Sequence, residues 1–200
     1  MKKYLALLLF GLAAAGPAQA QIRIGQTAAF TGAIAPMMKE ITDGARLYID
    51  HVNDTGGVNG QRIELISLDD KFDAKTAAAN ARRLIADEKV IALFLNRGTP
   101  QTEAILPVLA EHKVPLIGPS TGAMLLHQPV NPYVFNVRSS YQREAEKVVT
   151  HLHTIGLTRI GVAMYDDSFG TDSMAGARKG FDTAKLDPPF VEKVDRAKPD

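Results

Sequence analysis

Apolar positions in this chain fall into short runs, separated by longer stretches in which they recur every three or four residues. The first pattern suits buried strands and the second amphipathic helices. Residues 22–27 suit a first strand, followed by a loop at Phe30-Thr31-Gly32. From 36 to 53, Met37, Ile41, Ala45, Tyr48, Ile49 and Val52 mark one greasy helical face, which Gly56-Gly57 ends. An Asn59-Gly60 turn launches a second strand over 62–68. Asp73 is placed to cap a helix over 74–87 whose buried stripe is Ala77, Ala78, Ala81, Leu84 and Ile85.

The same rhythm continues. Residues 90–95 read as a third strand and 100–111 as a helix, with a kink predicted at Pro107 because an interior proline forfeits a hydrogen bond. Short strands are predicted at 114–117 and 133–137. Ser139-x-x-Gln142 has the spacing of a capping box and opens a helix to about 155. A sixth strand over 159–164, a loop over 165–170, a helix over 171–184 and a strand over 190–194 follow. Repeated strand–helix alternation predicts an α/β fold with parallel sheet flanked by helices.

Composition narrows the partners. The chain has 200 residues, a formal net charge of +1 and 46% apolar residues, so it can bury a core and offers no electrostatic case for nucleic acid. It has no cysteine, which excludes a disulfide framework. Residues 1–20 differ from the rest: Lys2 and Lys3 precede an apolar run, then Pro17 and Ala18-Gln19-Ala20. This is the pattern of a secretory signal cut after Ala20, and the run is shorter than the roughly 20 residues of a membrane span.

Parallel sheets collect ligands beyond the carboxyl ends of their strands. Residues 94–100 are one such end, where an apolar strand runs into Arg97, Gly98, Thr99 and Pro100. Thr99 is expected to cap the helix that follows, turning the amides of Gln101 and Thr102 toward a carboxylate or phosphate. Three more loops share its glycine and hydroxyl character: Phe30-Thr31-Gly32, Ser120-Thr121-Gly122 and Asp167-Ser168-Phe169-Gly170. Together they describe a small-molecule cleft, with Phe169 over the apolar part of the ligand.

Other chemistries fit poorly. Asp69, Asp70 and Asp73 lack the spacing of a calcium loop. His151 and His153 are two apart on a helix and face different ways, so no metal is expected. Gly56 to Gly60 precede a strand where a phosphate cradle requires a helix. Ser120 sits in Gly-Pro-Ser-Thr-Gly, which is not a nucleophile elbow, and no dinucleotide fingerprint follows the first strand. Neither catalysis nor a cofactor is expected.

Several motifs then agree in order. They are residues 24–32, the run 53–65 containing Thr55-Gly56-Gly57-Val58-Asn59-Gly60-Gln61, Asp69-Asp70, and Val114-Pro115-Leu116-Ile117-Gly118-Pro119-Ser120-Thr121. From about residue 22 onward the chain resembles the periplasmic solute-binding proteins of branched-chain amino acid ABC importers. The resemblance implies a type I periplasmic binding fold of two lobes, each a parallel sheet flanked by helices, closing on a ligand by a hinge. The first lobe would span 21–137 and the second would begin at 138, incomplete in these 200 residues. In such proteins the loops after the third and fourth strands hold the carboxylate and ammonium of an amino acid. The matching positions are Arg97, Gly98, Thr99 and Ser120, Thr121, Gly122, and Phe169 matches an aromatic residue after the sixth strand. The family commonly has serine where Arg97 stands, and a guanidinium there suits an additional acidic group. The implied role is a periplasmic, monomeric carrier that delivers an amino acid-like or other carboxylate solute to an inner-membrane permease. The alternative is a ligand-sensing module for a membrane receptor or kinase.

Overall fold

The computed structural model describes residues 21–196. The expected signal segment, residues 1–20, lies outside them. Twelve elements matter here. Strands β1 (Ile22–Ala28), β2 (Ile63–Asp69), β3 (Ala92–Phe94), β4 (Leu116–Ile117) and β5 (Val134–Phe135) form one parallel sheet in the order β2-β1-β3-β4-β5. Helices α1 (Ala35–Asp54), α2 (Ala74–Ala86) and α3 (Thr99–His112) connect the first four strands. Beyond them, α4 (Tyr141–Thr154) and α5 (Ser168–Ala184) accompany a second parallel sheet of β6 (Val162–Tyr165) and β7 (Val191–Val194).

The first sheet is held by apolar packing against α2 and α3. Ala77, Ala81, Leu84, Ile105, Leu109, Leu93 and Leu116 belong to one buried cluster, so the small-residue stripe of α2 faces the sheet as its periodicity requires. Asp73 caps α2 as expected, its Oδ1 accepting from the Thr76 amide at 2.7 Å. The Asn59-Gly60 turn also forms: both residues have positive φ, and Val58 and Gln61 exchange backbone bonds of 2.8 and 3.0 Å. That is the two-residue hairpin geometry for which Asn-Gly is suited.

Other elements depart from the pattern. In α1 the fully buried side chain is Met38, with Thr42 beside it, whereas Met37 and Tyr48 are exposed. The buried face is shifted because polar Thr42 is tolerated inside: its hydroxyl accepts from Gln26 Nε2 at 3.2 Å. Helix α3 keeps Pro107 within its span, as expected. Strand β3 is shorter than expected at both ends, and at its carboxyl end Leu95 takes a left-handed φ of 54° while its amide still donates to the Ile117 carbonyl at 3.1 Å. The cap of α4 is Ser140, one residue later than the capping-box spacing suggested, with its Oγ accepting from the Arg143 amide.

The second core is smaller, built from Val149, Met174, Ala177 and Phe181. Two glycines let α4 and α5 approach. A Cβ on Gly176 would stand 2.1 Å from the Gln142 carbonyl oxygen, and one on Gly180 2.8 Å from Val149 Cβ. Backbone-to-backbone packing of this kind excludes any side chain.

Candidate functional site

The strand order reverses between β1 and β3, and the carboxyl ends there meet the second sheet across a cavity of about 240 Å³. Five expected residues line it: Arg97, Gly98, Thr99, Ser120 and Phe169. The loop holding the first three is built from inside. Buried Asn96 donates from Nδ2 to Thr102 Oγ1 at 2.7 Å, and that hydroxyl donates to the Gly98 carbonyl at 2.7 Å. Gly98 has a φ of 97°, and a Cβ on it would meet Gln101 Oε1 at 1.9 Å and the Phe72 ring at 3.0 Å. Only glycine fits that bend.

Arg97 sits on the rim of this loop. Its Nη1 donates to Ser120 Oγ at 3.3 Å, and among the described residues it makes no ion pair. An isolated parallel bridge joins Arg97 to Ser120, so the loops after β3 and β4 extend the sheet pairing by one step. A guanidinium and a hydroxyl thereby face one space.

Thr99 does something other than cap its helix. The N-cap of α3 is Gly98, Thr99 is the first helical residue, and its Oγ1 pairs with Thr121 Oγ1 at 2.7 Å in a fully buried contact. Thr102 is likewise not an outward donor, because its amide bonds the Gly98 carbonyl at 2.9 Å. By helix geometry the amides of Thr99 and Gln101 are those left without an i−4 acceptor. Thr121 and Gly122 stand behind the cavity wall. A Cβ on Gly122 would lie 2.4 Å from the Ser139 carbonyl oxygen, so this glycine allows the chain entering α4 to pass close by.

The Phe30-Thr31-Gly32 loop is not on the cavity either. Two of its amides are taken: Phe30 and Thr31 donate to Asp69 Oδ1 at 2.8 and 3.3 Å. Burial works against the Asp69 charge, but the Thr31 hydroxyl and the amides of Lys71, Phe30 and Thr31 hold its carboxyl below the usual range. Asp70 behaves oppositely. It is fully buried, and burial pushes its carboxyl up to about 6 despite bonds from the Phe72 amide and Thr27 Oγ1. Those bonds, 2.9 and 3.1 Å, fix the turn at Lys71 and Phe72, both at positive φ, and place the Phe72 ring on the cavity.

Five wall residues had no sequence signal of their own: Ile34, Phe72, Tyr141, Tyr165 and Arg196. Phe169, expected in a loop, is in the first turn of α5, which Asp167 caps by accepting from the Gly170 amide at 3.0 Å. The Tyr141 and Phe169 rings meet edge to face, 5.0 Å between centres and 87° between planes. The Arg196 guanidinium lies 3.6 Å over the Tyr165 ring and is paired with Asp167, Nε at 2.9 Å. A larger hollow of about 350 Å³ beside α1 is lined by Lys39, Asp43 and Arg46, among others. There Lys39 pairs with Asp43, and Arg46 donates to the Ser67 hydroxyl.

Two parallel sheets meeting across a polar and aromatic cavity at their strand carboxyl ends define a type I periplasmic binding fold. The sequence model of the periplasmic binding protein family matches residues 21–197, and the chain belongs to that family. It is 36% identical over 96 residues to the Leu/Ile/Val-binding protein homolog 7 of Brucella suis biovar 1, a match covering 47% of this chain and 24% of the relative. A substrate-binding periplasmic protein from Ralstonia solanacearum superposes with a TM-score of 0.83 at 34% identity, over 88% of this chain and 50% of its own. An extracellular ligand-binding receptor from Verminephrobacter eiseniae gives 0.79 at 27% identity, over 90% and 51%. The chain thus spans about half the length of these solved structures.

Proposed function

We propose that this chain captures a small carboxylate-bearing or amino acid-like solute in the cavity between its two sheets. The observation that carries the reading is Arg97, whose guanidinium faces the cavity beside Ser120 Oγ without an ion-pair partner among the described residues. A guanidinium beside a hydroxyl and a helix start is a ready receptor for a carboxylate. Family membership and the Leu/Ile/Val-binding relative support solute capture in the periplasm. In the whole protein the loaded carrier hands its solute to an inner-membrane ABC permease as a monomer. Residues 21–137 act as one lobe and the chain from 138 as part of the other, hinged where Ser139 passes Gly122.

Thermal denaturation of the protein against a panel of amino acids and small carboxylates tests the reading. Binding to the folded state raises its stability by RT ln(1 + [L]/Kd), about 2.7 kcal/mol at a hundredfold excess over Kd. A panel that produces no shift at any concentration overturns it.

A further inference from the structure

Resting on the reading that this cavity is the solute site, we infer that Gln101 is a positioning residue, which holds the Phe72 ring on the solute in register with the bend that presents Arg97. Phe72 follows β2, whereas Gln101 lies in the first turn of α3, and their strands stand two places apart in the sheet with β1 between them. One side chain joins the two. Gln101 Nε2 donates to the Phe72 carbonyl at 2.5 Å. The other atom of the same amide packs on the bend: a Cβ on Gly98 would stand 1.9 Å from Gln101 Oε1 and 3.0 Å from Cε2 of the Phe72 ring. Gly98, Gln101 and Phe72 therefore form one contact group, and Arg97 is the residue next to it.

Stability alone does not account for a glutamine here. Gln101 is 3% exposed, and its Oε1 is buried without a hydrogen-bond partner among the described residues. An unpaired buried amide oxygen destabilises a fold, and an apolar side chain of the same length would fill the space without that cost. What the glutamine adds is its bond to Phe72. Phe72 itself is strained: it has a φ of 61° and Lys71 before it one of 53°, a left-handed pair that bulky side chains rarely adopt. Strain of this kind persists only where the surroundings over-determine it. Fully buried Asp70 supplies the second hold, its Oδ1 accepting from the Phe72 amide at 2.9 Å while its Oδ2 is anchored by Thr27 Oγ1 of β1 at 3.1 Å. Both backbone groups of Phe72 are thus taken by buried side chains. The ring that they fix lies on the cavity wall, 5.3 Å from the Arg196 guanidinium. A turn that merely joined β2 to α2 would need neither the left-handed phenylalanine nor the buried glutamine.

A double-mutant cycle read by calorimetric titration with L-leucine and with benzoate tests the assignment. Gln101→Met keeps the length of the side chain and removes the donor. Its melting temperature should equal or exceed that of the parent, while affinity for the tighter-binding titrant falls by about tenfold. That opposition of stability and affinity is what a purely structural glutamine would not produce. Phe72→Ala should weaken the same titrant by at least about tenfold, and adding Gln101→Met to it should cost less than about twofold more, because the ring to be positioned is gone. Gln101→Glu, which has the shape of glutamine but no donor, repeats the comparison if the methionine variant does not fold. Affinity unchanged in the Gln101 variants overturns this inference and leaves solute capture standing. Losses that multiply in the double variant also overturn it, since Gln101 would then act by another route. Binding of neither titrant by the parent overturns it too, and the wider panel of amino acids and carboxylates then decides separately whether solute capture stands.

Discussion

Phe72 and Arg196 meet across the cavity, with the guanidinium carbon 5.3 Å from the centre of the ring. Phe72 belongs to the loop after β2 of the first sheet, whereas Arg196 follows β7 of the second. The contact therefore links the two sheets through a cation held by Asp167 and layered on Tyr165. A partly desolvated cation–π contact contributes about 0.5–2 kcal/mol. Arg196→Ala is expected to lower the melting temperature modestly and to weaken solute binding by about tenfold, whereas Phe72→Leu should cost less because the Tyr165 contact survives. Calorimetric titration of both variants checks the order.

Gly98→Ala is predicted to damage the site and the fold together. The position has a φ of 97°, and the new methyl would collide with Gln101 Oε1. Strain of this kind costs more than about 1 kcal/mol. Urea unfolding should show the loss, and binding should fall further than stability alone explains, since the bend that presents Arg97 has to move.

The buried Thr99–Thr121 pair predicts a non-additive cycle. Thr99→Val leaves the Thr121 hydroxyl, which is fully buried, without its partner. An orphaned buried hydroxyl costs about 1–3 kcal/mol, whereas removing both partners is nearly neutral. The double variant with Thr121→Val should be destabilised by less than the sum of the two single variants. Equal sums in chemical denaturation would mean that the hydroxyls act independently.

Asp70 predicts a pH dependence with an unusual sign. Its carboxyl titrates near 6 in the folded protein and near 3.8 when unperturbed, so between these values the folded state holds more protons than the unfolded one. The Asp70 contribution to stability then falls as pH rises from about 4 to 6. Asp69 is lowered instead, and its contribution is lost only as pH falls below the ordinary carboxylate range. In Asp70→Asn the decline between pH 4 and 6 should disappear, while the bond to the Phe72 amide is kept. Urea midpoints measured across that window read the difference.

Gly176→Ala tests how the second sheet's helices are held. The added Cβ would stand 2.1 Å from the Gln142 carbonyl oxygen, so α4 and α5 must separate. Overpacking of this kind costs about 1–3 kcal/mol. The variant should unfold at lower denaturant, with the near-ultraviolet signal of Tyr141 and Tyr165 changing first.

Periodicity alone determined the rhythm of this protein. Alternating buried runs and three-to-four spacing placed each strand and α-helix within a few residues, though not the short 3-10 turn at Met124–Leu126, because one apolar face must be buried whichever neighbour covers it. Local chemistry was equally legible: Asp73 found its own helix amide, and Asn59-Gly60 turned where only such residues turn easily. Arg97, Gly98, Ser120 and Phe169 were recognisable as strand-end residues, and all four line the cavity.

Tertiary structure decided what each side chain faces. Thr99 carries a hydroxyl suited to capping, yet Gly98 takes the N-cap position and the Thr99 hydroxyl pairs with Thr121 of the next loop. Thr42 is buried because Gln26 of a neighbouring strand meets it. Phe72, Tyr141 and Arg196 converge on one space from positions far apart in the chain, and no local pattern encodes that distance. Sequence spacing sets which face of an element is apolar, but the partner of a polar group is set by whichever loop the folded sheet brings within hydrogen-bonding reach.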